Sequence, residues 1–123
     1  RLRRGPLAVE LDGQTDAVVA CYEAGGFQRP HWDVSFAAMH AGRDRRLTAI
    51  TYLNPGWRQE DGGALRLFDE QRRGWLHALP ALGTLVLFRA DRVLHEVQAT
   101  RAPRMAMTVW HLGSYAPGAS GAP

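Results

Sequence analysis

Apolar and polar residues alternate with a period of two along most of this chain, in short runs that glycine, proline, asparagine and aspartate separate. A period of two is typical of β-strands with one buried face, because successive side chains point to opposite faces of a sheet. Asn54-Pro55-Gly56 is one of several clear turn signals between the runs. We therefore predict short strands and almost no helix. The predicted strands cover residues 16–24, 28–33, 47–54, 64–68, 75–79, 84–89, 93–100 and 104–112.

Eight strands of this length suit two Greek keys that close as a jelly roll. The predicted fold class is therefore an all-β core, a double-stranded β-helix of the cupin-like kind. The length of 123 residues is ample for one domain and short for two. We assign residues 1–113 to the jelly-roll domain. Residues 114–123 are rich in glycine, alanine, serine and proline, and we expect them to form a flexible tail.

Composition narrows the class of protein. A hydrophobic content of 46% is enough for a packed core, and the single cysteine, Cys21, excludes an internal disulfide framework. No stretch approaches the roughly 20 apolar residues that a membrane-spanning helix needs. The net charge of +3 suggests nucleic acid as a partner. However, the basic residues lie in predicted loops, intermixed with acids and without stacking aromatics, so we expect no nucleic-acid partner.

A His-x-Asp pair and one distant histidine carry the main chemical signal. His31 and Asp33 lie two apart in a predicted strand and would share one face, and His95 lies between two valines in another strand. Two imidazoles and one carboxylate can occupy one face of an octahedral Fe(II) and leave three positions open for a co-substrate and dioxygen. The alternative for each histidine alone is a structural residue in an apolar sheet.

Arg104 opens a run that reads as a buried strand ending at Trp110. A rigid two-pronged donor at that place could pair with the far carboxylate of a dicarboxylate co-substrate such as 2-oxoglutarate (2OG). Tyr22 and Tyr52 could supply hydroxyl donors beside it, although either could also be a core residue with one satisfied hydroxyl. Trp110 could line the same pocket or belong to the core.

With these residues in place, the chain resembles the 2OG/Fe(II) dioxygenases. Within them it resembles the prolyl 4-hydroxylases that are related to the hypoxia-inducible-factor hydroxylases and to their bacterial counterparts. The similarity covers roughly residues 7–112. It rests on Ala20-Cys21-Tyr22, His31-Trp32-Asp33, Tyr52-Leu53-Asn54 with Trp57, the run from Gly62 to Phe68, His95-Glu96-Val97-Gln98, and the run from Arg104 to Trp110.

The resemblance implies a role for each site residue. It makes His31, Asp33 and His95 the iron ligands and Arg104 the partner of the 5-carboxylate of 2OG. Tyr52 would donate to that same carboxylate, and Tyr22 and Thr108 would line the co-substrate side of the site. The implied cofactors are Fe(II), 2OG and O2, with ascorbate as a reductant. The implied reaction hydroxylates C4 of a prolyl residue in a protein or peptide and releases succinate and CO2.

Two departures refine the resemblance. The segment from Asp33 to Tyr52 is longer than in the animal oxygen-sensing enzymes and closer to the bacterial type. Arginine at position 104 differs from the lysine that is usual in the collagen-modifying branch, so we expect an intracellular, cytoplasmic protein. Relatives carry supporting helices before the barrel, and none is predicted here. The chain is thus expected to be the C-terminal part of a longer protein, with one barrel face uncovered.

Two alternatives to a prolyl hydroxylase stay open at this point. One is a 2OG oxygenase that acts on a small molecule, a free amino acid, another side chain or a nucleic acid. The other is a jelly-roll binding module that keeps the fold and has lost catalysis. Retention of the full set of predicted site residues favours an active enzyme.

Overall fold

The computed structural model describes residues 9–71, 73–116 and 118. Eight strands follow one another in it, in the predicted order and overlapping the predicted segments. The second strand ends at His31 and not at residue 33, and the seventh covers only His95–Val97 of the predicted 93–100. A short helix, α1 (Phe36–His40), and a 3₁₀ turn (Gln59–Asp61) are the helical elements of the described part. The strands are β1 (Thr15–Tyr22), β2 (Gln28–His31), β3 (Arg43–Tyr52), β4 (Leu65–Phe68), β5 (Trp75–Ala78), β6 (Leu85–Arg89), β7 (His95–Val97) and β8 (Arg104–Ser114).

The strands form two four-stranded sheets with antiparallel pairing. The first sheet has the order β1-β8-β3-β6 and the second has the order β2-β7-β4-β5. The chain crosses repeatedly from one sheet to the other, so each sheet contains strands that are distant in sequence. This arrangement is the double-stranded β-helix, and it confirms the predicted fold class.

The core lies between the two sheets and follows from the period of two. On β3, Thr48, Ile50 and Tyr52 alternate with less buried residues and point inward. They pack with side chains from β4, β6, β7 and β8. The buried hydrophobic cluster consists of Ile50, Tyr52, Leu65, Phe88, Val97 and Ala106.

The segment between Asp33 and β3 differs from the prediction. It contains α1, which begins after Ser35, whose side chain accepts a hydrogen bond from the Ala38 N–H. The Asp44 carboxylate accepts from the Ser35 N–H at 2.7 Å, so the start of β3 is tied to the start of the helix. β3 accordingly begins at Arg43, four residues before the predicted start. A helix of five residues is too short to show a periodic pattern.

The predicted tail begins too early. Ser114 belongs to β8, and Tyr115 is buried with its hydroxyl donating to the Arg45 carbonyl at 2.6 Å. The Tyr115 ring also lies 4.1 Å from the Arg46 guanidinium. The packed domain therefore extends past residue 113. Residues 117 and 119–123 of the predicted tail, and residues 1–8 of the predicted domain, lie outside the described residues.

The outer face of the first sheet carries exposed apolar side chains. Val19, Leu85, Leu87 and Met107 occupy positions that alternate with the inward-facing ones, and all four are exposed. An uncovered barrel face was expected from the sequence.

Among the described residues, no helix is long and apolar enough to cross a membrane.

Candidate metal centre and adjoining cavity

His31 and His95 are direct neighbours across two strands. His31 ends β2 and His95 begins β7, and their Cα atoms are partners in the antiparallel register. Their rings lie with centroids 4.2 Å apart. Asp33 was predicted in the same strand, but it lies two residues past the end of β2, because its N–H donates to the Ala90 carbonyl at 3.2 Å and does not continue the pairing with β7. Its carboxylate still lies beside both imidazoles. The fold thus brings together the three residues that the sequence predicts as iron ligands.

The ligand atoms of these three residues converge. Nε2 of His31 lies 3.3 Å from Oδ1 of Asp33, and Nε2 of His95 lies 3.2 Å from the same oxygen. The three candidate ligand atoms are all within 4.8 Å of one another. Nδ1 of His31 is 2.7 Å from the Arg29 carbonyl, and Nδ1 of His95 is 2.9 Å from the Val93 carbonyl. Because a carbonyl can only accept, each Nδ1 carries a proton. In the neutral imidazole the Nε2 lone pair therefore faces the centre, as a metal ligand requires, and only a protonated imidazole can donate its Nε2–H to Oδ1 of Asp33.

The protonation states of Asp33 and His31 affect how well the three ligand atoms can bind a cation. Burial raises the pKa of the Asp33 carboxyl, but hydrogen bonds with His31, His95 and Thr48 outweigh burial and hold that pKa well below its usual range. Burial lowers the pKa of His31, but its hydrogen bonds with Asp33 and with the Arg29 carbonyl outweigh burial, and the net shift is upward. Two imidazole nitrogens and one ionised carboxylate fit the donor set that Fe(II) takes in oxygenases.

The second oxygen of Asp33 has its own partners. The Thr48 hydroxyl donates to Oδ2 at 2.7 Å, and the Trp110 indole N–H donates to it at 3.2 Å. Thr48 was not among the residues predicted for the site. Its sequence position could have indicated that role. Thr48 lies two residues before Ile50 and four before Tyr52, so the period of two puts it on the same inward face of β3.

A cavity of about 200 Å³ adjoins the three ligands. Apolar side chains such as Ile50, Leu65 and Val97 form part of its wall. Every residue predicted for the site contributes to the lining: His31, Asp33 and His95, together with Tyr22, Tyr52, Arg104 and Thr108. Trp110, for which a pocket and a core position were both open, also lines it.

Arg104 is buried in this cavity, with 3% of the residue exposed. Its Nε donates to the Gly63 carbonyl at 2.7 Å, and its guanidinium lies 5.5 Å from the Tyr22 ring centroid and 5.1 Å from that of Tyr52. None of the ion pairs in the described part of the chain involves Arg104. A buried guanidinium without a carboxylate partner fits a site for an anionic ligand.

Gly63 has a backbone that favours glycine, with φ at +68°. A Cβ at this position would lie 3.0 Å from Cδ of Arg104 and 3.1 Å from the Thr100 hydroxyl oxygen. Gly63 belongs to Asp61-Gly62-Gly63, a run of residues that is typical of a turn. The structure adds a second role, because this turn holds the carbonyl that orients the buried guanidinium.

Two tyrosine hydroxyls lie near Arg104. Tyr52 is fully buried, and its hydroxyl oxygen is 3.5 Å from Nη2 of Arg104. Burial raises the pKa of Tyr52 and outweighs the opposing effect of Arg104, so this hydroxyl remains a donor at neutral pH. The Tyr22 hydroxyl donates to the Gln28 side chain at 3.1 Å. Gln28 also lines the cavity and was not identified from the sequence.

A jelly roll with a His-x-Asp pair and a distant histidine converging on one cavity defines the class of non-haem iron oxygenases. Residues 17–112 match the family described as the 2OG-Fe(II) oxygenase superfamily. The chain belongs to this superfamily. Membership implies Fe(II), 2OG and O2 as cofactor and co-substrates, and His31, Asp33 and His95 form a candidate iron site.

Several proteins that are similar to this chain are named as prolyl hydroxylases. Egl nine homolog 1 of Homo sapiens is 36% identical over 104 residues, which make up 83% of this chain and 24% of that protein. The crystal structure of a Pseudomonas putida prolyl-4-hydroxylase superposes with a TM-score of 0.73 and 34% identity, over 83% of this chain and 53% of that one. A Trichoplax adhaerens prolyl hydroxylase was solved in complex with a peptide fragment of the hypoxia-inducible-factor oxygen degradation domain. It superposes with a TM-score of 0.69 and 32% identity, over 80% of this chain and 44% of that one.

The chain spans only part of these relatives. It matches between 24% and 53% of their length. The matched part contains the jelly roll, the candidate iron site and the cavity.

Proposed function

We propose that this domain is an Fe(II)- and 2OG-dependent dioxygenase that hydroxylates C4 of a prolyl residue in a protein or peptide. One observation carries the proposal. The convergent set of His31, Asp33 and His95 lines the same cavity as the guanidinium of Arg104, which has no carboxylate partner among the described residues. A site for a metal and a site for a carboxylate are thereby joined in a space that suits a small dicarboxylate.

In this proposal His31, Asp33 and His95 hold Fe(II). With 2OG bound, the iron would supply the redox chemistry that couples oxidative decarboxylation to hydroxylation of a C–H bond. The balance is one O2, one 2OG and one C–H group in, and one succinate, one CO2 and one hydroxyl group out. One oxygen atom of O2 enters succinate and the other enters the product. Ascorbate would serve as the reductant that keeps iron in the ferrous state.

The protein orients the co-substrate through its own side chains. Arg104 pairs with the far carboxylate of 2OG, and its bond to the Gly63 carbonyl sets the direction of the guanidinium. The Tyr52 hydroxyl, protonated and buried, donates to the same carboxylate. Tyr22 and Thr108 line the remaining co-substrate side. The apolar wall limits bulk water around these charged groups, which strengthens each interaction.

The assignment of a prolyl substrate rests on the relatives. Several similar proteins are described as prolyl hydroxylases, and one of them was solved with a peptide bound. We therefore propose a proline-containing protein or peptide as the partner. We also propose a cytoplasmic location, because position 104 is arginine and not the lysine usual in the collagen-modifying branch. Fractionation of cells that express the full-length protein tests the location.

Anaerobic addition of Fe(II) and then 2OG to the 123-residue chain tests the cofactor chemistry. A weak visible charge-transfer band, absent in His31→Ala, is the expected result. Peptides that contain proline are then incubated with O2 and followed by mass spectrometry for the gain of one oxygen atom at proline, with proline-to-alanine peptides as the control. A band without any peptide oxidation would favour a small-molecule substrate, and a folded, iron-loaded chain without the band would favour the inactive binding module.

A further inference from the structure

We propose that the Thr48 hydroxyl, assisted by the Trp110 indole N–H, is a positioning group for the candidate iron site. It reserves one oxygen of the Asp33 carboxylate for hydrogen bonds and leaves the other oxygen for the metal. This inference rests on the proposed function, because it takes His31, Asp33 and His95 as the iron ligands. Thr48 would act through Asp33 and would touch neither the metal nor the substrate.

The two donors are neighbours in the first sheet. Thr48 on β3 and Trp110 on β8 are Cα partners in the antiparallel register, so their inward side chains lie side by side. Both donate to the same atom, Oδ2 of Asp33, at 2.7 Å from the hydroxyl and 3.2 Å from the indole nitrogen. Thr48 is fully buried, and 8% of the Asp33 side chain is exposed. Burial therefore limits the access of water that could replace either donor.

The other oxygen of Asp33 has a different environment. Oδ1 faces the Nε2 atoms of His31 and His95 at 3.3 and 3.2 Å. Both imidazoles are fixed from behind, because each Nδ1 contacts a backbone carbonyl. The carboxylate could exchange its two oxygens only by rotating, and rotation would break the bonds from Thr48 and Trp110. The two oxygens are thus assigned to separate tasks before any metal binds.

The number of coordination positions gives this assignment a consequence. Two imidazoles and one carboxylate oxygen occupy three of the six positions of an octahedral ion and leave three for the co-substrate and dioxygen. A carboxylate that rotated and offered both oxygens would occupy a fourth position. Thr48 therefore favours the arrangement in which Asp33 is a one-oxygen ligand, and it preorganises the site for the metal. Partners that orient metal ligands in this way commonly contribute about 10-fold to 100-fold to metal affinity.

Thr48→Val tests the inference, since it removes the hydroxyl and keeps the branched shape. The measurement is the affinity for Mn(II), a stand-in for Fe(II) that does not react with O2 in the assay, by calorimetric titration of the metal-free chain. We expect Thr48→Val to weaken Mn(II) binding by about 10-fold or more, and Thr48→Ser, which retains the hydroxyl, to stay close to wild type. Thr51→Val is the matched control, because Thr51 lies on β3 at an alternate, outward position.

Each outcome decides something. If the wild-type chain binds no Mn(II), this inference and the proposed function both fall. If the wild type binds and Thr48→Val binds equally well, or if Thr51→Val shows the same loss, the role of Thr48 alone is wrong. If Thr48→Val does not fold, Thr48→Ser and Trp110→Phe decide. Normal Mn(II) affinity in Thr48→Ser together with a loss of Mn(II) affinity in Trp110→Phe supports the inference. Unchanged Mn(II) affinity in Trp110→Phe overturns it.

Discussion

Replacing Arg104 with methionine separates the stability of the domain from its co-substrate affinity. Arg104 is 3% exposed, and methionine keeps an unbranched side chain without the charge. The guanidinium donates to the Gly63 carbonyl and lies near the rings of Tyr22 and Tyr52. In the ligand-free chain these contacts compensate part of the cost of burying the charge. A bound carboxylate would compensate the rest.

The magnitudes can be estimated from these contacts. Burying a charge costs several kcal/mol, which a charged hydrogen bond of about 1.5–3 kcal/mol and two cation–π contacts of about 0.5–1 kcal/mol each largely offset. We therefore expect Arg104→Met to change the free energy of unfolding of the ligand-free chain by less than about 1.5 kcal/mol. Removing one partner of a buried charged pair costs about 2–5 kcal/mol of binding, which is a loss of about 30-fold to 4,000-fold in affinity for 2OG.

Arg104→Lys is the intermediate case. It keeps the positive charge but loses the planar fork that pairs with both oxygens of a carboxylate. We expect a smaller loss of 2OG affinity than for Arg104→Met, about 10-fold to 100-fold. The assay for both variants is calorimetric titration of 2OG into the Mn(II)-loaded chain, with thermal unfolding to confirm that each variant folds.

A second ligand makes the test specific for the far carboxylate. 2-Oxobutyrate has the keto-acid end of 2OG and lacks the second carboxylate. The wild-type chain should bind it much more weakly than 2OG, and Arg104→Met should discriminate little between the two. If Arg104→Met binds 2OG as tightly as the wild type, or loses affinity for both ligands to the same degree, Arg104 is not the partner of the far carboxylate and the reasoning from its burial is wrong.

Three further expectations concern the metal ligand His95 and the buried Tyr115. Mn(II) at 100 times its Kd should stabilise the wild-type chain by about 2.7 kcal/mol, and His95→Ala should abolish the resulting rise in Tm; an equal rise in the variant would exclude His95 as a ligand. Tyr115→Phe should lower the free energy of unfolding by about 1–2 kcal/mol in urea titrations at neutral pH, because the Arg45 carbonyl loses its donor. Burial, with Asp91 nearby, raises the pKa of Tyr115 from 10.0 to about 12. The stabilisation that the protonated Tyr115 hydroxyl gives is therefore complete below pH 10 and is lost as the pH rises towards 12. The free energy of unfolding of the wild type should fall over that range more steeply than that of Tyr115→Phe. An equally steep fall in both would contradict this role of Tyr115.

The alternation of the sequence located all eight strands, with errors of up to four residues at their ends, and it located many of the inward-facing residues. A period of two places Arg104, Ala106, Thr108 and Trp110 on one face of β8, and all four line the cavity. The same rule accounts for Thr48, which the sequence analysis overlooked. α1 was missed for a different reason. Its five residues depend on contacts with Ser35 and Asp44 and not on a periodic pattern of their own.

The pairing of strands could not be read from the alternation. A period of two says which face a residue occupies, but it does not say which strand lies beside it. His31 and His95 become partners only through the register of β2 with β7. The resemblance to a family supplied that link in the sequence analysis. Neither the alternation nor the family resemblance could predict the hydrogen bond from Arg104 to the Gly63 carbonyl, because this bond depends on the exact path of a turn.

The site joins the two sheets, and this explains why it cannot form from a local segment. The two histidines belong to β2 and β7 of the second sheet, whereas Thr48 and Trp110 belong to the first sheet. Asp33 connects them, with Oδ1 facing the histidines and Oδ2 facing the first sheet. A metal held by the three ligands would therefore add a connection between the sheets at the cavity. Because that connection exists only when both sheets are packed, metal binding and the folding of the whole domain are linked, and any variant that loosens the packing between the sheets should lower metal affinity as well as stability.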